Sequence, residues 1–159
     1  MKKIVLTSLL MLSILTSAAF AEGLKVGIGY GAGSSIAFEA STIKVPLDFD
    51  FGLRIEPELG ISEKLITLAV GGYYGIMKVE GINVYAGGRL GLTKGDYVGD
   101  PTGTSLQAVV GTEYFLVDKK LSLALQVGLE VASGDLNGSA YNNNGYGTTG
   151  SITVRYFLF

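Results

Sequence analysis

From Phe49 to Ile61 the chain alternates with a period of two. Phe49, Phe51, Leu53, Ile55, Pro57, Leu59 and Ile61 fall on one face; Asp50, Gly52, Arg54, Glu56, Glu58 and Gly60 fall on the other. Successive side chains of a strand point to opposite faces, so this is a strand signature and not a helical one. The same period recurs at 24–30 (Leu24, Val26, Ile28, Tyr30), 64–77 (Ile66, Leu68, Val70, Tyr74, Ile76) and 82–93 (Ile82, Val84, Ala86, Leu90, Leu92). It continues at 104–116, at 120–132 (Leu121, Leu123, Leu125, Val127, Leu129, Val131) and at 148–158 (Ile152, Val154, Tyr156, Leu158). A weaker strand is read over 35–45, with Ile36, Phe38 and Ala40 taken as its apolar face. Pro46-Leu47-Asp48, Val79-Glu80-Gly81 and Asp118-Lys119-Lys120 read as tight turns, and 94–103 and 133–147 as longer polar loops. Eight strands joined in this way predict an all-β fold, an eight-stranded antiparallel up-and-down barrel.

The placement of charge decides what surrounds that barrel. Lys25, Glu39, Asp50, Arg54, Glu56, Glu58, Arg89, Glu113, Glu130 and Arg155 lie opposite the apolar faces, together with most of the strand glycines. A water-soluble β-domain would cover its outer face with Lys, Glu, Thr and Ser. Here the polar face is glycine, small residues and single charges, which suits the lumen of an eight-stranded barrel, only wide enough for side chains. The apolar face then meets lipid, and closure leaves no sheet edge unpaired. Lys25, Arg54, Glu56, Glu58, Arg89, Glu113, Glu130 and Arg155 are expected to share the lumen. Buried charges must be paired or solvated, so they predict a structural ion-pair network that plugs it. Glu56 and Glu58 also admit a paired-carboxylate catalytic reading, but the cations beside them favour pairing.

Composition removes other chemistries. Among the 159 residues there are 24 glycines but no histidine, cysteine or tryptophan. Histidine-dependent nucleophile pairs, thiolate metal sites and disulfides are thereby excluded. The formal net charge of −2 gives no footprint for nucleic acid. Lys2 and Lys3, the apolar run Ile4 to Phe20 and the small-x-small triplet Ala19-Phe20-Ala21 predict a cleaved signal peptide over 1–21, with the barrel domain over 22–159. Gly27-x-Gly29-x-Gly31-x-Gly33 lacks the helix a phosphate loop needs, and Asp48-x-Asp50 lacks the rest of a calcium loop. Neither a cofactor nor a metal is expected, and no enzymatic activity. With the N-terminus on the periplasmic side, Phe49, Phe51, Tyr74, Tyr114, Tyr156 and Phe159 gather toward that side, as an aromatic girdle does.

This pattern, ending in Phe157-Leu158-Phe159, resembles the small eight-stranded outer-membrane barrels of Gram-negative-type bacteria, the OmpA/OmpX-like and opacity-protein-like surface antigens. The resemblance spans residues 22–159 and is one of architecture. It implies residence in outer-membrane lipid and reading of Phe157 and Phe159 by the barrel-assembly machinery. Arg155 and Thr153 stand where that terminal signal usually carries hydrophobic residues. A structural or surface-interaction role follows, with host or cell-surface ligands met through loops 94–103 and 133–147. The alternatives are a narrow porin-like conduit for small solutes and a soluble exported β-barrel that binds an apolar ligand.

Overall fold

The computed structural model describes residues 23–34, 39–61, 65–95, 102–117, 119–134 and 145–158. The signal-peptide reading at 1–21, Ile36 and Phe38, Phe159, and most of both long loops lie outside the described residues. The described residues form nine strand segments: β1 (Leu24–Ser34), β2 (Glu39–Lys44), β3 (Leu47–Phe49), β4 (Leu53–Ile61), β5 (Leu65–Val79), β6 (Ile82–Gly95), β7 (Thr102–Val117), β8 (Leu121–Gly134) and β9 (Gly145–Phe157). Every pairing is antiparallel, and β1 pairs with β9 from Gly27↔Phe157 to Ser34↔Gly150, which closes the sheet.

Nine segments make eight barrel positions. Against β1 the register runs from Gly29↔Lys44 in β2 to Val26↔Leu47 in β3 without a slip. Against β4 it runs equally from Lys44↔Glu58 to Leu47↔Ile55. β2 and β3 are therefore one strand, interrupted only at Val45-Pro46. Proline has no N–H to give to a ladder, yet its carbonyl accepts from Gly27 N at 3.0 Å while Val45 N donates to Pro57 O at 2.9 Å. The predicted fold, an eight-stranded antiparallel barrel, is the observed one.

This strand corrects two expectations. Pro46-Leu47-Asp48 is not a turn but lies within the wall. The turn comes at Asp50–Gly52, where Gly52 N donates to Phe49 O at 2.9 Å and Gly52 takes a φ of +89°. Asp50 is accordingly exposed at that turn and not in the lumen. The parity taken for 35–45 is also reversed: Thr42 and Lys44 point inward and are buried, whereas Ser41 and Ile43 are exposed. The physical reason is Lys44, whose ammonium finds carboxylates only inside.

Elsewhere the alternation reads directly into the wall. On β8, Leu125, Val127 and Leu129 are 48%, 62% and 68% exposed, while Ser122, Ala124, Gln126 and Glu130 on the opposite face are buried. Apolar side chains thus cover the outside and polar ones fill the inside, the reverse of a water-soluble barrel. Phe51, Tyr74, Tyr114 and Tyr156 stand exposed on the outside, beside the turns at 50–52, 80–81 and 119–120. The Phe49 ring lies 5.5 Å from that of Phe51. The link between β5 and β6 is a two-residue hairpin whose Glu80 and Gly81 both have positive φ, as a type I′ turn requires. Two register shifts, between Gly75 and Met77 and between Phe115 and Val117, lie toward this turn end.

Candidate functional site

Charges on the inward rows of β2, β3, β4, β6, β7 and β9 meet in one chain of alternating sign. Arg54 binds both Asp48 oxygens, reaching Oδ1 through Nε and Oδ2 through Nη2, and donates from Nη2 to Glu113 Oε2 at 2.7 Å. Arg155 Nη1 donates to Glu113 Oε1 at 3.3 Å. Its Nε and Nη2 donate to Glu56 Oε2 and Oε1 at 2.6 and 3.0 Å. Lys44 Nζ donates to Glu56 Oε1 at 3.4 Å and lies 3.2 Å from Glu58 Oε1, close enough to pair but without hydrogen-bond alignment. Arg89 Nε completes the chain on Glu58 Oε2 at 3.0 Å. Ser122 Oγ adds a donor to Glu113 Oε1 at 2.5 Å.

The order is Asp48, Arg54, Glu113, Arg155, Glu56, Lys44, Glu58, Arg89, so the charges cancel along its length. Burial of each ion is costly; the bidentate geometry at Asp48 and Glu56 and the three donors to Glu113 offset it, while Glu58 takes one hydrogen bond, from Arg89. Tyr73 and Tyr85 fill the bore beside the ions, with ring centroids 5.6 Å apart in an edge-on arrangement. They fit because glycine faces them: a Cβ at Gly87 would collide with the Tyr73 ring, and one at Gly111 with the Tyr85 ring.

This assembly divides the lumen. A cavity of about 480 Å³ opens at the turn end and is lined in part by Asp48, Arg54 and Glu113. A cavity of about 40 Å³ lies toward the loop end, lined in part by Lys44, Glu58 and Arg89. Arg155 and Glu56 line neither and are wholly buried, so their pair is the septum.

The lumen residues singled out from the sequence are placed unequally. Arg54, Glu56, Glu58, Arg89, Glu113 and Arg155 join the chain. Glu130, on β8, is buried and accepts from Gln107 Nε2 at 3.0 Å. Lys25 is exposed on the rim of the larger cavity, outside the network. Phe157 turns inward, 6.0 Å from the Phe115 ring, with the Arg54 guanidinium 5.7 Å from its centroid. Its inward face is the one that also carries Arg155 and Thr153. Sequence reasoning missed Lys44 and Asp48. Part of the signal was present: a lysine cannot face lipid cheaply, but Glu39 stands on the opposite parity of the same strand, so the two charges gave conflicting readings. Among the described residues, no cluster of three or more aspartate or glutamate side chains is arranged to hold a metal ion.

No protein-family model matches the sequence, and no curated protein matches it. Solved structures do. The de novo designed TMB2.3, determined by solution NMR, is similar with a TM-score of 0.53 and 14% identity, over 88% of this chain and 99% of the designed one. Neisserial surface protein A (NspA), in its crystal structure, is similar with a TM-score of 0.51 and 16% identity, over 84% of this chain and 94% of its own. At these identities the likeness is one of fold, a small closed eight-stranded antiparallel barrel.

Proposed function

We propose that this chain is an integral outer-membrane barrel with a structural or surface-interaction role and no catalytic one. The observation that carries the reading is its inverted polarity: an outside of exposed Leu, Val, Ile and Tyr around an inside of paired ions. Such a surface is at home in lipid, where closure satisfies every strand. On this reading, residues 1–21 direct export, the barrel-assembly machinery inserts the barrel through the chain end at Phe157 and Phe159, and the loop end faces outward. Ligands on a host or neighbouring cell would then be met through 94–103 and 133–147. A soluble carrier of apolar ligands fits poorly, because the interior that would hold the ligand is charged.

The septum favours a plugged barrel over a conduit. Its test is to express the full chain in a Gram-negative host, separate the membranes, and reconstitute the purified protein in planar bilayers. Recovery in the outer membrane with little or no steady conductance is the expected result. Recovery in the soluble periplasmic fraction would reject membrane residence. Reproducible single-channel steps would promote the conduit.

A further inference from the structure

The two halves of the lumen are unequal in a way that a plug does not require. The turn-end cavity is about 480 Å³ and the loop-end cavity about 40 Å³. Both register shifts, at Gly75/Met77 and Phe115/Val117, fall in the wall of the larger one, where an extra residue bends and spreads a strand. Its lining departs from the rest of the lumen in chemistry. Phe115 and Phe157 point inward there, and with Tyr73 and Tyr85 they give it an aromatic lining, whereas the loop-end cavity is lined by no aromatic side chain. At the rim stand Lys25, Lys78 and Lys119, all exposed. Of the acidic lining residues, Asp48 and Glu113 are held by Arg54, which leaves Asp50 at the rim against three lysines.

An apolar aromatic floor beneath a cationic collar, in a cavity of the size that encloses small organic molecules, is the complement of an amphiphilic anion. We propose that the turn-end vestibule binds a compact organic anion, its carboxylate or phosphate at Lys25, Lys78 and Lys119 and its apolar body against Phe115 and Phe157. The vestibule is closed at its inner end by Arg155 and Glu56, so the ligand enters and leaves by the same mouth. This site is separate from any surface role of the loops and stands whether or not they have a ligand.

The test uses the whole barrel in nanodiscs of zwitterionic lipid, with amide resonances of Asn83, Phe115 and Phe157 followed by NMR. The probe is 4-phenylbutyrate, and its neutral isostere 4-phenylbutanol is titrated in parallel. Saturable shifts at these amides, with the acid bound at least about tenfold tighter than the alcohol, are expected. Decanoate in a third titration separates the sources: tighter binding than phenylbutyrate indicates a lipid-derived anion, weaker binding a soluble one, and either supports the site. Lys25→Gln, Lys78→Gln and Lys119→Gln together should raise the Kd of the acid about tenfold or more. Gly75→Leu should abolish binding by filling the cavity, since a Cβ there meets only Gly52 O at 3.7 Å. Absence of saturable shifts, or equal affinity for acid and alcohol, overturns the proposal without need of any variant.

Discussion

Arg155 on β9 clasps Glu56 on β4 at two points, Nε to Oε2 at 2.6 Å and Nη2 to Oε1 at 3.0 Å, across 99 residues of sequence. The same guanidinium reaches Glu113 on β7, so three strands of the wall are tied through one side chain. Removing it takes both short bonds from the fully buried Glu56, leaving it only Lys44 at 3.4 Å, and one of three donors from Glu113. Arg155→Met should therefore cost about 3–5 kcal/mol, the usual penalty for breaking a buried pair from one side. Denaturant titration of the barrel refolded in lipid vesicles measures it. Arg155→Met with Glu56→Leu should cost less than Arg155→Met alone; a larger cost would mean the pair is not coupled as the geometry requires.

The outward row of β8 provides a second check. Leu125→Arg should cost about 2–4 kcal/mol near the middle of a bilayer, where a charge on the lipid face has no partner. Gln126→Leu, one residue on but inside, loses the bond from Ser151 Oγ at 3.0 Å and should cost only about 1 kcal/mol. Equal costs in the same vesicle titration would contradict the assignment of faces.

Much of this was legible because period two is an arithmetic property of strands. Leu121 to Val131 alternates without a break, and the structure keeps every assigned side. The failure at 39–49 has an equally physical cause. Phe49, Phe51 and Leu53 keep alternating with Asp50 and Gly52 straight through a turn, so the period cannot see that the chain has reversed. Read by period alone, Asp48 falls in a turn, and its pairing with Arg54 is out of reach. Lys25 shows a different limit. Parity places it on the inner face, but depth along the barrel, which parity does not carry, puts it in solvent at the rim. Nor could the sequence show that Glu130 takes its bond from Gln107, because which inward residues meet depends on strand stagger.

Two glycines should respond unequally to the same methyl group. A Cβ at Gly111 would stand 2.6 Å from Tyr85 Cζ and 2.7 Å from the Leu125 carbonyl oxygen. Gly111→Ala should cost about 1–3 kcal/mol, as overpacking does. At Gly72, on the outer face, nothing lies within 4 Å of the added atom, so Gly72→Ala should be neutral to within about 0.5 kcal/mol. Thermal unfolding followed by gel mobility resolves the difference.

Weakening the septum from both ends should open it. Arg54→Ala with Arg89→Ala removes the cations that hold Asp48, Glu113 and Glu58. Lower stability and brief, irregular conductance events in planar bilayers are expected from the double variant, against a quiet record from the parent. A variant as silent as the parent would place the seal elsewhere.

Orientation has its own test. An epitope inserted after Asn143 should be labelled on intact cells, and one inserted after Lys119 only after permeabilisation. The opposite pattern would turn the barrel over and place the lysine collar at the cell surface.

The sign alternation from Asp48 to Arg89 has a mechanical corollary. Four positive and four negative groups are interleaved along the chain, so an electric field across the membrane pulls each ion against its neighbour and exerts no net force on the set. A mobile charge crossing the field gains about 2.3 kcal/mol per 100 mV; a neutral, cross-linked string gains almost nothing. Voltage steps applied to this barrel should find no lever to move.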